Sequence, residues 1–266
     1  MNIWRREMKA SLKPLLIWMA GIVAMVGSGM AKFAGMAGSG TAMSELMGGL
    51  PKPLQAVFGL NGLDISTVMG YYGMLYMYLL IMAAVHASML GANVLAKEER
   101  DKTAEFLFVK PISRARVLLE KLLAVALQSV LFTAVMAVSS IAFVAPHGDG
   151  GAAAVAGDIW PFMAGMLLTQ SIFGAAGLAI AASSSHPQRA VGASAGVMLL
   201  AFLLSVVIDM SGRLEAAGYL TPFQYFAAER LLGEGLELRF IVLSLGIALA
   251  SITVAFLRYG RRDMRL

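Results

Sequence analysis

Six stretches of the chain run through apolar residues almost without interruption: 15–31, 69–95, 122–145, 159–182, 190–208 and 240–257. None contains Asp, Glu, Lys or Arg, and only the second contains a histidine, His86. A helix needs about 20 mostly apolar residues to cross a bilayer. The first and last stretches are the shortest, and flanking Trp, Tyr and Arg residues extend their reach. Strands of a membrane barrel would alternate with period two, which none of these stretches does. The pattern predicts an all-α integral membrane protein of six transmembrane helices, a single domain over 1–266. Residues 1–31, a basic start before an apolar run, are read as an uncleaved first helix because five further spans follow.

Composition agrees and removes other classes. The chain is 59% hydrophobic and only 14% charged, with mean hydropathy +0.75, where water-soluble domains carry about a quarter charged residues. A soluble enzyme, a nucleic-acid-binding domain and a disordered tail are excluded. The absence of cysteine excludes disulfides, zinc-thiolate sites and iron–sulfur clusters. The 28 glycines predict close helix contacts within lipid.

The net charge of +5 is sorted by loop. The N-terminus, the 96–121 loop, Arg189 and the tail hold 16 of the 21 basic residues. By the excess of Lys and Arg on cytoplasmic loops, both termini are expected in the cytoplasm. Trp4, Met8 and Leu12 recur every four residues, with Arg5, Arg6, Lys9 and Lys13 turned elsewhere. That spacing predicts an interfacial amphipathic helix, broken by Pro14 before the first span.

The 96–121 loop carries charges of both signs around an apolar knob, Phe106 to Val109. Glu98 and Lys102 form an i,i+4 pair, Pro111 interrupts the helix, and Ser113 is placed to cap the next one. Two readings are open: a docking surface for a soluble partner, or an elbow resting among lipid headgroups.

Within the membrane, Tyr72, Tyr76, His86 and Asn93 share one face of the second span at heptad-like spacing. They either line a substrate path or subunit interface, or bond to neighbouring helices. Gly192 and Gly196 form a GxxxG, read as intramolecular packing in preference to a dimer seam. Gln128, Thr169, Gln170 and Ser171 must find partners in the bundle. No GxxxxGK[ST] or HExxH occurs, and the three histidines are scattered, so no nucleotide-binding, cofactor, metal or catalytic residues are expected. Ser183–Ser185 beside His186 is read as a turn, with no carboxylate nearby to orient a triad.

An acidic-acidic-Arg start at Glu98-Glu99-Arg100, then Thr103, Glu105-Phe106-Leu107, Pro111, Ser113-Arg114 and Lys121, resembles the loop between the second and third spans of ABC exporter permeases of the type-two class. Leu50-Pro51, Val57-Phe58-Gly59, Thr221 to Phe226 and Arg261 to Met264 resemble other parts of the same family. The resemblance implies that the loop abuts a cytoplasmic ATPase subunit, through Glu98, Glu99, Arg100, Thr103, Glu105, Phe106 and Leu107. It implies that ATP and Mg are held by that partner, and that the chain pairs with a second copy or a related permease. The N-terminal helix would touch the ATPase as well.

The sequence thus reads as a plasma-membrane permease subunit of an ABC transporter, an exporter by class, with lipids as neighbours and no nucleic acid. The alternatives are a non-transporting scaffold or assembly factor, and an intramembrane enzyme built on His86 and the tyrosines.

Overall fold

The computed structural model describes residues 3–36, 49–60, 62–100, 113–148, 150–184, 186–211 and 215–261. Six long helices dominate: α1 (Ile3–Met36), α2 (Val68–Arg100), α3 (Arg114–Val144), α4 (Gly151–Ser183), α5 (Pro187–Ser211) and α6 (Leu238–Arg261). All six are long and apolar enough to cross a membrane. Each apolar stretch of the sequence coincides with one of them, apart from Ala145, which opens a tight turn at Ala145–His147.

α2, α3 and α4 form the centre. α1 packs on α3, α5 on α2, and α6 on α4. Windows of α2 and α4 are 67% and 61% buried, whereas those of α5 and α6 are 22% buried. The two peripheral helices therefore present broad apolar faces to the surroundings, as lipid requires.

Both ends of the bundle are fixed by specific contacts. At one end, Lys121 of α3 meets Glu7 of α1, and Arg114 donates to the Gly260 carbonyl of α6 at 3.4 Å. We call this the terminal end. At the far end, the Phe33 ring lies 5.2 Å from Tyr71 and 6.0 Å from His147. Short helices at Lys52–Phe58, Pro222–Tyr225 and Ala228–Gly233 lie in the segments that connect spans there.

Two expectations change. Pro14 does not break the first helix: Ile3–Met36 is continuous through it. Proline lacks the N–H that would bond the Ala10 carbonyl. α1 is nonetheless held on both sides of it, by Ile3 and Glu7 before and by Leu15 and Ile22 after, all buried. No separate interfacial helix forms. The buried stripe is also offset by one residue from the predicted one, since Leu12 is 48% exposed while Ile3 and Glu7 are covered.

The second change concerns glycine. Close approach occurs where α2 crosses α4, not at the GxxxG. A β-carbon on Gly91 would lie 2.0 Å from the Gly174 carbonyl oxygen, and one on Gly177 would lie 2.4 Å from that of Ser88. Beside this crossing the Ser88 and Ser194 hydroxyls pair at 2.6 Å, joining α5 to α2. Among the described residues no neighbouring helix comes within 4 Å of an added β-carbon on Gly192 or Gly196, so the GxxxG makes no close backbone crossing there. Small residues serve lipid-embedded interfaces only where two backbones meet.

Candidate functional site

At the terminal end three helices converge on one carboxylate. Glu7 of α1 is 2% exposed and Lys121 of α3 is fully buried. One Glu7 oxygen pairs with Lys97 of α2. The other lies 3.5 Å from Lys121 Nζ, which also donates to the Val94 carbonyl at 2.5 Å. One residue earlier on α3, Glu120 accepts the Ile3 backbone N–H at 2.5 Å and pairs with Arg116 at 3.4 Å. An acidic side chain on a helix's first free N–H complements the positive end of that helix. Ser113 caps α3 by accepting from the Arg116 N–H at 3.3 Å, as its position predicts.

This cluster brackets the predicted coupling loop. Lys97 lies on the arm entering it, and Lys121 on the arm leaving it. Glu98, Glu99 and Arg100 form the last turn of α2, while Thr103, Glu105, Phe106 and Leu107 lie outside the described residues. Sequence reading missed Glu7, which stands among four basic residues and looks solvated. The available signal was the i,i+4 series Ile3, Glu7 and Ser11, one residue away from the stripe that was chosen. Lys121, counted there as a loop charge, is instead part of the packed interior.

On the polar face of α2 both tyrosines bond to neighbouring helices, and Tyr76 also lines a cavity towards the far end. Tyr72 donates to Ser140 Oγ at 2.8 Å and Tyr76 to the Phe162 carbonyl at 3.0 Å. Both rings meet Phe162 edge-on, at 5.5 and 4.8 Å. His86 stacks on Phe132 at 4.7 Å and faces Trp18 edge-on at 5.8 Å. Among the described residues its Nδ1 has no hydrogen-bond partner, nor do Gln128 Oε1 and Gln170 Nε2. Asn93 is half-buried. Both tyrosines bond to neighbours, as one of the two readings expects, and Tyr76 also borders a cavity.

Towards the far end, a cavity of about 390 Å³ opens between α2, α5 and the segment 223–234. Its lining includes the apolar Met77, Leu80, Phe202 and Phe223 together with Asp209, Glu229, Glu234 and Arg230. Asp209 accepts from Gln224 Nε2 at 2.6 Å. Partial burial raises the Glu229 carboxyl above the ordinary range, and neighbouring Asp209 adds to this against the opposing pull of Arg230. Arg230 is itself tied to Glu237 at 3.0 Å and Glu234 at 3.6 Å. Among the described residues no group of His, Asp and Glu could hold a metal ion.

Six spans with a charged segment between the second and third narrow the class, and comparison decides it. The model of the ABC-2 family transporter protein matches residues 1–264. The chain belongs to the ABC-2 transporter family. It is therefore a transporter permease, a multi-pass membrane subunit, and permeases of this family normally work with an ATPase subunit. A comparison with curated proteins finds no match.

Proposed function

We propose that this permease is half of an exporter in the plasma membrane, driven by a separate cytoplasmic ATPase docked on residues 96–121. A second copy or a related permease completes the pathway. ATP and Mg are handled by the ATPase, and the permease converts closure of that subunit into movement of its helices. The observation that carries this reading is the convergence of both arms of the 96–121 segment on Glu7, at the end where the termini lie. A push on that segment reaches the central helices α2 and α3 through Lys97 and Lys121 on its two arms. The sorting of basic residues supports a cytoplasmic position for this end.

The far-end cavity fits the release side of such a pathway. Its mixed lining of apolar side chains with charged groups of both signs suits an amphipathic cargo better than a highly polar one. The test is co-purification of tagged permease with an ATP-hydrolysing subunit. Wild type brings the subunit with it, and the combined Glu99→Lys and Phe106→Ala variant loses it. Retention at full strength in the double variant removes the segment as the dock. ATP-dependent cargo movement in vesicles then separates a transporter from a scaffold that only docks.

A further inference from the structure

Buried ion pairs are expensive, because two charges leave water for a setting that returns part of their hydration. Apolar side chains of similar volume would hold three helices together as well or better. The terminal end of this permease nevertheless buries Glu7 and Lys121, with Lys97 completing the cluster at its edge. Fastening alone does not call for this arrangement. A shared carboxylate differs from an apolar plug in being directional: it ties specific atoms of three helices while letting each ammonium slide around it.

The grip is also uneven. Glu7 is in close contact with Lys97, whereas Lys121 stands 3.5 Å away and spends a second hydrogen bond on the Val94 carbonyl. Charge-assisted N–H···O bonds close to about 2.8 Å, so the Lys121 contact has room to tighten when the helix ends shift. The Val94 carbonyl belongs to α2, one turn before Lys97, so Lys121 joins α3 to α2 while Glu7 joins both to α1. At the same level Glu120 holds the first N–H of α1.

We infer that Glu7 is a positioning residue for coupling: its carboxylate ties α1 to both arms of the 101–112 segment, so that displacement of the segment moves α1 together with α2 and α3. The inference rests on the docking proposed above. It assigns to α1, whose middle lies against α3 and His86 of α2, the task of carrying the movement into the bundle. Glu7 touches neither cargo nor nucleotide in this scheme and acts through Lys97 and Lys121.

The chain has no native cysteine, so a spin-label pair can be installed cleanly at the exposed positions Ala10→Cys and Ala115→Cys. The distance between the labels is measured in the permease–ATPase complex with and without ATP. Three backgrounds are compared: wild type, Glu7→Gln, and the apolar replacement Glu7→Met, Lys97→Met, Lys121→Met. Glu7→Gln leaves a buried charge unmatched and is open to failure in folding. The triple variant has no charge to strand and keeps the volume, so it reports on coupling in a folded protein.

The expected result is a label distance that ATP leaves unchanged in wild type, because α1 and α3 move together, and that changes with ATP in the triple variant, although the ATPase still co-purifies. A triple variant that responds to ATP like wild type overturns the inference and leaves the cluster as a fastening. If no ATPase co-purifies even with wild type, the proposed docking fails, a different outcome from either of these.

Discussion

Gly91 of α2 and Gly174 of α4 meet backbone to backbone, with an added β-carbon on Gly91 falling 2.0 Å from the Gly174 oxygen. Neither backbone has a flexible end to yield. Gly91→Ala therefore forces the two central helices apart, at about 3 kcal/mol or more, the upper range for overpacking. Thermal unfolding in detergent should show a large drop in Tm, or loss of the monodisperse species. Unchanged stability would mean that the crossing is looser than described.

Tyr72 and Ser140 offer a milder test. Removing the phenol in Tyr72→Phe deletes one hydrogen bond between α2 and α3 and strands the Ser140 hydroxyl, which is fully buried. Interhelical bonds in membranes average about 0.6 kcal/mol, so the loss is modest. The double variant Tyr72→Phe, Ser140→Ala should be no worse than the single one, because nothing is then left unpaired. A thermal double-mutant cycle measures the difference.

Gly196→Ala should behave in the opposite way from Gly91→Ala. With no atom within 4 Å of the new methyl group, the isolated subunit loses no stability. A large loss in monomer Tm would contradict the open placement of the GxxxG.

Glu237 accepts from Arg239 at 2.6 Å and from Arg230 at 3.0 Å. Chiefly through Arg239, these guanidinium groups bring its carboxyl down from 4.5 to about 2. A depressed acid favours the folded state above its unfolded value and loses that contribution as pH falls through the folded one. The advantage of wild type over Glu237→Gln should thus be full above 4.5 and shrink as pH falls from there towards 2. Since the site is partly open to solvent, the Tm difference is small and decreases with added salt.

The six helices were legible because lipid imposes a length and an apolarity that the sequence shows directly. Ser113 was legible too, since a cap is a local device. Pro14 was not, because its local preference is overruled by packing on either side of it. The glycines show the same limit. A GxxxG is visible in the sequence, but whether another backbone lies against it depends on tertiary placement, and the close crossing falls at Gly91, Gly174 and Gly177. Glu7 was hidden by its basic neighbours, and only the fold brings it to Lys97 and Lys121.

The docking of an ATPase at the terminal end is tested most directly by cross-linking from single cysteines in this cysteine-free chain. One is placed at Glu105→Cys in the coupling segment and another at Gly218→Cys near the far end. A short cross-linker should join the Glu105 position to an ATP-binding subunit in intact membranes and leave the Gly218 position unlinked. Cross-linking to that subunit from Gly218 and none from Glu105 would contradict both the docking surface and the cytoplasmic placement of the termini.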